Sequence, residues 1–220
     1  MSTTWTALES NPECFNLLLS KLGVKSVKTD DVYTFDRDAF VTHPFALLLC
    51  IPNYEQAREF LGEMYKDLAL HGVVAPADVF VAKQKVENAC GTFALFNALA
   101  NLEGRIDLGD GEFKKWLEMA KKVSEEERNE LIANNKAIAD AHETAANSGD
   151  TVVQDKVDNH FITYINKGGV IYEIDSRGLF PRTIGKTSET HFLTDAGDVI
   201  RELMQKLNNN NFAVLAVLPV

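Results

Sequence analysis

Cysteine is scarce in this chain: three residues in 220. An odd count this small cannot close into a disulfide framework, and it favours a reducing compartment. Cations are also in deficit. Lys plus Arg number 22 against 32 Asp plus Glu, a net charge of −10. That excludes a binder of phosphate backbones and asks for a basic partner. Long apolar runs are missing: Phe45 to Ile51 and Phe212 to Leu218 are strand length, far short of the ~20 residues a membrane span needs. The start, Met1-Ser2-Thr3-Thr4-Trp5-Thr6, lacks a basic region and an apolar run, so no leader is expected. Leu218-Pro219-Val220 carries no prenylation box. The expected location is the cytoplasm, with the nucleus open. His43, His71, His142 and His191 show no ligand spacing to any cysteine, so neither metal nor cofactor is expected.

What is present is an ordinary globular composition, 45% hydrophobic and 25% charged, enough to bury a core. Asn11, Pro12 and Gly23 mark the ends of a first helix over Pro12 to Leu22. Phe45 to Ile51 reads as a buried strand and Tyr54 to His71 as an amphipathic helix. Val79 to Ala82 reads as a short strand. Helices follow over Cys90 to Asn101 and Glu112 to Val123, then one capped by the Ser124–Glu127 box, then about Asn135 to Ala146. Phe161 to Ile165 and Val170 to Ile174 form a hairpin around Asn166-Lys167-Gly168-Gly169. Phe180 to Ile184, a helix over Leu193 to Leu207 and a last strand over Phe212 to Leu218 complete an α+β reading, with a helical lobe and a sheet lobe.

One stretch carries chemistry. In Gln84-Lys85-Val86-Glu87-Asn88-Ala89-Cys90-Gly91 a cysteine sits where a loop becomes an apolar helix. Unpaired N–H groups and the macrodipole there stabilise a thiolate. Gly91 is expected to admit a ligand close to the backbone. Taken alone this is weak, because a free cysteine is usually buried and inert. His160 opens the first hairpin strand and Asp175 ends the second. If Lys167 and Gly168 form the turn, the two face each other directly across the ladder, and the carboxylate orients the imidazole. If Gly168 and Gly169 form it, His160 faces Arg177. Cys14 and Cys50 lie in apolar surroundings and read as structural.

Gln84-x-x-x-Asn88-Ala89-Cys90-Gly91 resembles the active-site signature of the ubiquitin C-terminal hydrolase family. Trp5-x-x-Leu8-Glu9-x-Asn11-Pro12, Glu125-Glu126-Glu127-Arg128, His142-Glu143-Thr144, Lys156-Val157-Asp158-x-His160-Phe161 and Tyr172-Glu173-x-Asp175 resemble its other landmarks, in order, over essentially the whole chain. The short form, similar to isozymes L1 and L3, fits best.

The resemblance implies one domain over residues 1–220 with a papain-like cysteine protease fold and a knotted backbone. It implies a thioester mechanism in which Cys90 is the nucleophile, His160 the base and then acid, Asp175 its orienter, and Gln84 an oxyanion donor beside the Cys90 backbone N–H. Asn88 is expected to order the turn. The chain departs from the family at Asn97, where many members have histidine, and at Asn159, where many have leucine.

The polar stretch over about 146–155 resembles the family's crossover loop, which arches over the site; its shortness implies cleavage of small or flexible adducts from ubiquitin. Expected substrate contacts are Leu8, Glu9 and Asn11, with Ala146, Asn147, Ser148, Gly149 and Asp150. The expected partner of a monomeric enzyme is ubiquitin, or NEDD8, whose basic tail calls for an acidic groove leading to Cys90. The other reading is a protein that holds free ubiquitin with little turnover.

Overall fold

A computed structural model describes residues 4–149 and 158–220. Its elements in chain order are α1 (Pro12–Leu22), β1 (Val27–Asp31), β2 (Ala46–Pro52), α2 (Tyr54–Leu70), α3 (Cys90–Asn101), α4 (Glu112–Ala120), α5 (Glu125–Ala133), α6 (Lys136–Ala146), β3 (Asn159–Lys167), β4 (Val170–Asp175), β5 (Arg182–Lys186), α7 (Phe192–Lys206) and β6 (Ala213–Pro219). The strands form a six-stranded sheet in the order β1-β6-β2-β3-β4-β5, with every pair antiparallel.

Local chemistry sets the helix ends where the sequence marks them. The Asn11 side chain accepts from the Glu13 N–H at 2.7 Å, and Gly23 closes α1 in the left-handed region at φ 84°. Ser124 and Glu127 form the reciprocal capping box of α5. The run Ala46 to Ile51 is apolar at every position because both sheet faces are covered. Leu48 and Cys50 point into one hydrophobic layer, with Phe15, Phe93, Phe96 and Trp116 from the helical side. Leu47, Leu49 and Ile51 point into the other, with Leu61 of α2 and Phe192 and Ile200 of α7. The helical lobe therefore lies on one face of the sheet, while α2 and α7 close the second face.

Three expectations change. β1 was not legible: Val27-Lys28-Thr29-Asp30-Asp31 is mostly polar and becomes a strand only by pairing with β6 at the sheet edge. The third strand of the meander starts at Arg182 rather than Phe180. Val79 to Ala82 joins no strand. Its hydrogen bonds go instead to two asparagine side chains of α3. Asn101 bonds the Phe80 N–H at 2.9 Å and its carbonyl at 2.8 Å, and Asn97 bonds the Ala82 N–H at 2.7 Å and its carbonyl at 3.2 Å. Two amides one helical turn apart stand in for a neighbouring strand and satisfy the buried backbone.

Candidate active site

The hairpin turn decides how two of the site residues meet. Lys167 pairs with Val170, and Gly168 and Gly169 occupy the turn at φ 62° and 78°. A two-residue turn matching strand twist needs positive φ at both positions, which a glycine pair supplies and Lys167 would resist. Asp175 therefore stands opposite Ile162, not opposite His160. The directly facing pair expected from a Lys167-Gly168 turn is corrected. His160 and Asp175 are diagonal neighbours on one face, and the carboxylate still reaches the imidazole. Nε2 of His160 lies 2.7 Å from Asp175 Oδ1, with both side chains buried. Nδ1 of His160 is buried with no hydrogen-bond partner, which leaves it as the nitrogen available to the Cys90 thiol.

Cys90 is the first residue of α3, a helix buried at all twelve positions. Asn88 turns the chain before it through the left-handed region at φ 62°. No side chain caps this N-terminus, so its free N–H groups and dipole favour negative charge beside Cys90. Gly91 serves packing rather than ligand approach. A Cβ there would stand 3.1 Å from the Phe15 ring and 3.2 Å from Leu8 Cβ, so glycine lets α3 settle closely onto α1 and the N-terminal segment. The Cys90 thiol donates to the Asn159 carbonyl at 3.8 Å.

Gln84 is held from three directions. Its N–H donates to the Ser176 carbonyl at 2.9 Å, its Oε1 accepts from Ser176 Oγ at 3.3 Å, and its Nε2 donates to the Val86 carbonyl at 2.9 Å. One amide hydrogen of Nε2 remains for a developing oxyanion. Asp175 is held as tightly: the Arg177 N–H donates to Oδ1 at 2.8 Å and the Tyr54 hydroxyl to Oδ2 at 3.4 Å.

Electrostatics follow from these contacts. Burial opposes a Cys90 thiolate, but His160, the Phe161 N–H and Arg177 outweigh it and bring the thiol below its ordinary value. Burial likewise opposes a charged His160, yet Asp175 and Cys90 raise the imidazole to about 9. The thiol thus ionises early and the imidazolium persists late, which favours a thiolate–imidazolium pair near neutral pH. Hydrolysis is expected to rise with thiol ionisation and to fall as pH passes about 9, where His160 loses the proton a leaving amine needs. Asp175→Asn removes the charge that raises His160. Its descending limb should move down by about one pH unit, lowering kcat/KM by about twofold near pH 8 and about tenfold near pH 10. A pH–rate profile with the limb unmoved would exclude Asp175 as the source.

The expected substrate contacts fall into two groups. Leu8 is buried against Gly91, and half-buried Asn11 caps α1. Ala146 is buried and Asn147 donates to the Glu143 carbonyl at 2.7 Å. Ser148 donates to Cys14 Sγ at 3.7 Å, and Glu9 flanks Gly149, where a Cβ would stand 2.4 Å from its Oε2. The N-terminal segment and the start of the expected crossover loop therefore meet. Asp150 and the rest of that loop, residues 150–155, lie outside the described residues.

A groove of about 1030 Å³ opens beside Gln84 and Asp175. Arg58, Lys66, Lys83, Lys85 and Arg177 line it together with Glu55, Glu59, Glu63 and Asp175, so this groove is mixed in charge; Cys90 and His160 are not among its lining residues. Among the described residues no group of three or more His, Cys, Asp or Glu side chains could hold a metal ion, and no helix is long and apolar enough to cross a membrane. Sequence reasoning missed Tyr54, Ser176 and the Asn97–Asn101 pair. None stands in a motif, and each reaches the site only through long-range contact.

The chain is 36% identical over 224 residues to a ubiquitin carboxyl-terminal hydrolase of Drosophila melanogaster, covering 97% of each. It is 35% identical over 204 residues to the rat isozyme L1, covering 90% of this chain and 91% of that one. In fold it is similar to the catalytic domain of Trichinella spiralis UCH37, solved bound to ubiquitin vinyl methyl ester. That likeness has a TM-score of 0.74 at 19% identity and covers 98% of this chain and 96% of the other. A sequence profile for ubiquitin carboxyl-terminal hydrolase, family 1, matches residues 5–205. With a thiol, an imidazole and a carboxylate assembled at an uncapped helix start, and with relatives matched along nearly its full length, the chain belongs to ubiquitin carboxyl-terminal hydrolase family 1.

Proposed function

We propose that this protein is a deubiquitinating thiol hydrolase acting on the bond after the final glycine of ubiquitin. The observation that carries the reading is the Cys90 thiol, lowered in pKa at the start of α3 beside an imidazole that Asp175 holds. In the acylation step Cys90 Sγ attacks the glycine carbonyl carbon and forms the C–S bond. The oxyanion takes hydrogen bonds from Gln84 Nε2 and the Cys90 backbone N–H. His160 passes its proton to the leaving amine as the C–N bond breaks. Neutral His160 then takes a proton from water, which attacks the thioester and releases the ubiquitin carboxylate and the thiol.

Ubiquitin is supported as the partner by the family and by a related structure bound to a ubiquitin derivative. The finer reading is a monomeric enzyme, of the cytoplasm with the nucleus open, that removes small or flexible adducts from ubiquitin, with NEDD8 as the alternative substrate. The few residues between α6, ending at Ala146, and β3, starting at Asn159, support the adduct-size part of this reading, because so short a stretch of chain has little reach.

Matched ubiquitin and NEDD8 C-terminal amide reporters, with ubiquitin joined to a folded domain as a third substrate, test the reading. The ubiquitin reporter should turn over fastest and the folded conjugate persist. Tight ubiquitin binding without turnover would instead establish a ubiquitin-holding protein, and rapid cleavage of the folded conjugate would remove the size restriction.

A further inference from the structure

We infer that Tyr54 is a positioning residue for the reaction, holding the His160 imidazole and the Asp175 carboxylate in one geometry and keeping groove water from the pair. The inference rests on the Cys90–His160 chemistry proposed above.

Tyr54 is the first residue of α2, on the sheet face opposite α3, and it is 4% exposed. Its ring centroid lies 4.1 Å from that of His160, at 37° between planes. Its hydroxyl donates to Asp175 Oδ2 at 3.4 Å, while Oδ1 takes His160 Nε2 at 2.7 Å. One side chain thus touches both members of the pair. The imidazole can rotate about its Cα–Cβ and Cβ–Cγ bonds; the hydrogen bond to Asp175 restrains one ring edge and the Tyr54 face restrains the plane. A ring so held keeps Nδ1 on the thiol side through both proton transfers.

The start of α2 is itself tied to the start of β3. The Tyr54 N–H donates to the Asp158 carbonyl at 3.0 Å and the Glu55 N–H to Asp158 Oδ1 at 3.1 Å. Asp158 thereby caps the helix that begins with Tyr54, and it lies two residues before His160 in the chain. Tyrosine and imidazole are carried as a unit.

The second part of the role is exclusion of water. Tyr54 lines the groove that opens beside Asp175, and the Arg177 guanidinium lies over its ring, 5.5 Å from the centroid. The aromatic ring therefore stands between the groove and the imidazole, while Asp175 borders the groove itself at 2% exposure, and the pair's mutual attraction depends on that low local polarity. Tyr54 exchanges no proton in this scheme, since burial and Asp175 raise its hydroxyl well above the ordinary tyrosine value.

Two variants separate ring from hydroxyl. Tyr54→Phe keeps the stack and should lower kcat by about threefold to tenfold, the fold-change of one hydrogen bond. Tyr54→Leu loses both and should lower kcat by about 10²-fold, the scale of a misplaced catalytic group. KM for the ubiquitin reporter should stay within about twofold in each. Two readouts need no ubiquitin. Iodoacetamide alkylation of Cys90, followed by mass spectrometry across pH, should show its midpoint displaced upward in Tyr54→Leu and near the parent value in Tyr54→Phe. The Nε2 proton shared with Asp175 should give a far-downfield NMR resonance in the parent and the Phe variant, and be lost to solvent exchange in the Leu variant.

A Leu variant with the parent's alkylation midpoint and a protected proton would overturn the inference, whatever its melting temperature. Should that variant fail to fold, Tyr54→Phe decides: full kcat would overturn the hydroxyl's part and with it the two-point hold. Failure of the ubiquitin reading would look different, with no reporter turnover by the parent and the alkylation profile intact.

Discussion

Cys90→Ala is expected to abolish turnover of a ubiquitin C-terminal amide reporter, by at least about 10⁴-fold, while free ubiquitin still binds. The size follows from the absence of a substitute. Cys14 is fully buried in α1, and burial with the neighbouring Cys90 pushes the Cys50 thiol up to about 12. Asp175 and Cys90 are the partners that set the state of His160, so no other thiol inherits its base. The variant should fold normally. Alanine favours the first turn of a helix, and the change deletes one sulfur that donates a long bond to the Asn159 carbonyl. Cys90→Ser should be nearly as inactive, because a hydroxyl is not ionised by the interactions that ionise a thiol. Reporter hydrolysis, a ubiquitin-based electrophilic probe and a binding titration together check this. Labelling of Cys90→Ala by the probe at the parent's rate would place the nucleophile elsewhere.

Gln84→Ala should lower kcat by about 10²- to 10³-fold with little change in KM, a loss of about 3–4 kcal/mol in transition-state stabilisation. The argument is geometric. Ser176 holds the Gln84 backbone and its Oε1, and the Val86 carbonyl takes one amide hydrogen, so the remaining hydrogen has a set direction before substrate arrives. A donor oriented in advance costs no reorganisation when the oxyanion forms. Gln84→Glu should be at least as damaging, because it puts a negative acceptor where negative charge develops. Steady-state kcat and KM on one reporter separate the outcomes. A loss carried by KM alone would make Gln84 a ground-state binding residue.

The path to Gln84 also shows why part of the site was hidden. Val79 to Ala82 has the residues of a strand, but its hydrogen-bond partners are the Asn97 and Asn101 amides. Helical spacing places those two amides on one face of α3 and cannot say that they meet another segment's backbone. The same helix thus presents the Cys90 thiol at its start and fastens the segment leading to Gln84 along its length. Asn97, a departure from the family pattern, takes a structural part in that fastening.

Legibility tracked the range of the interaction. α1 with its Asn11 cap, the Ser124–Glu127 box and the all-apolar β2 were legible from composition and spacing. β1 depends on an edge pairing with β6, at the far end of the chain, and its polar residues concealed it. The sequence by itself determined the helix start that carries Cys90 and, through family resemblance, the membership of the group Gln84, Cys90, His160 and Asp175. The tertiary structure alone decided how that group is joined. A glycine pair set the hairpin register, made His160 and Asp175 diagonal rather than facing, and left both against Tyr54 on their own face of the sheet. Turn strain and long-range packing make those choices, and neither is written in the spacing of the residues they bring together.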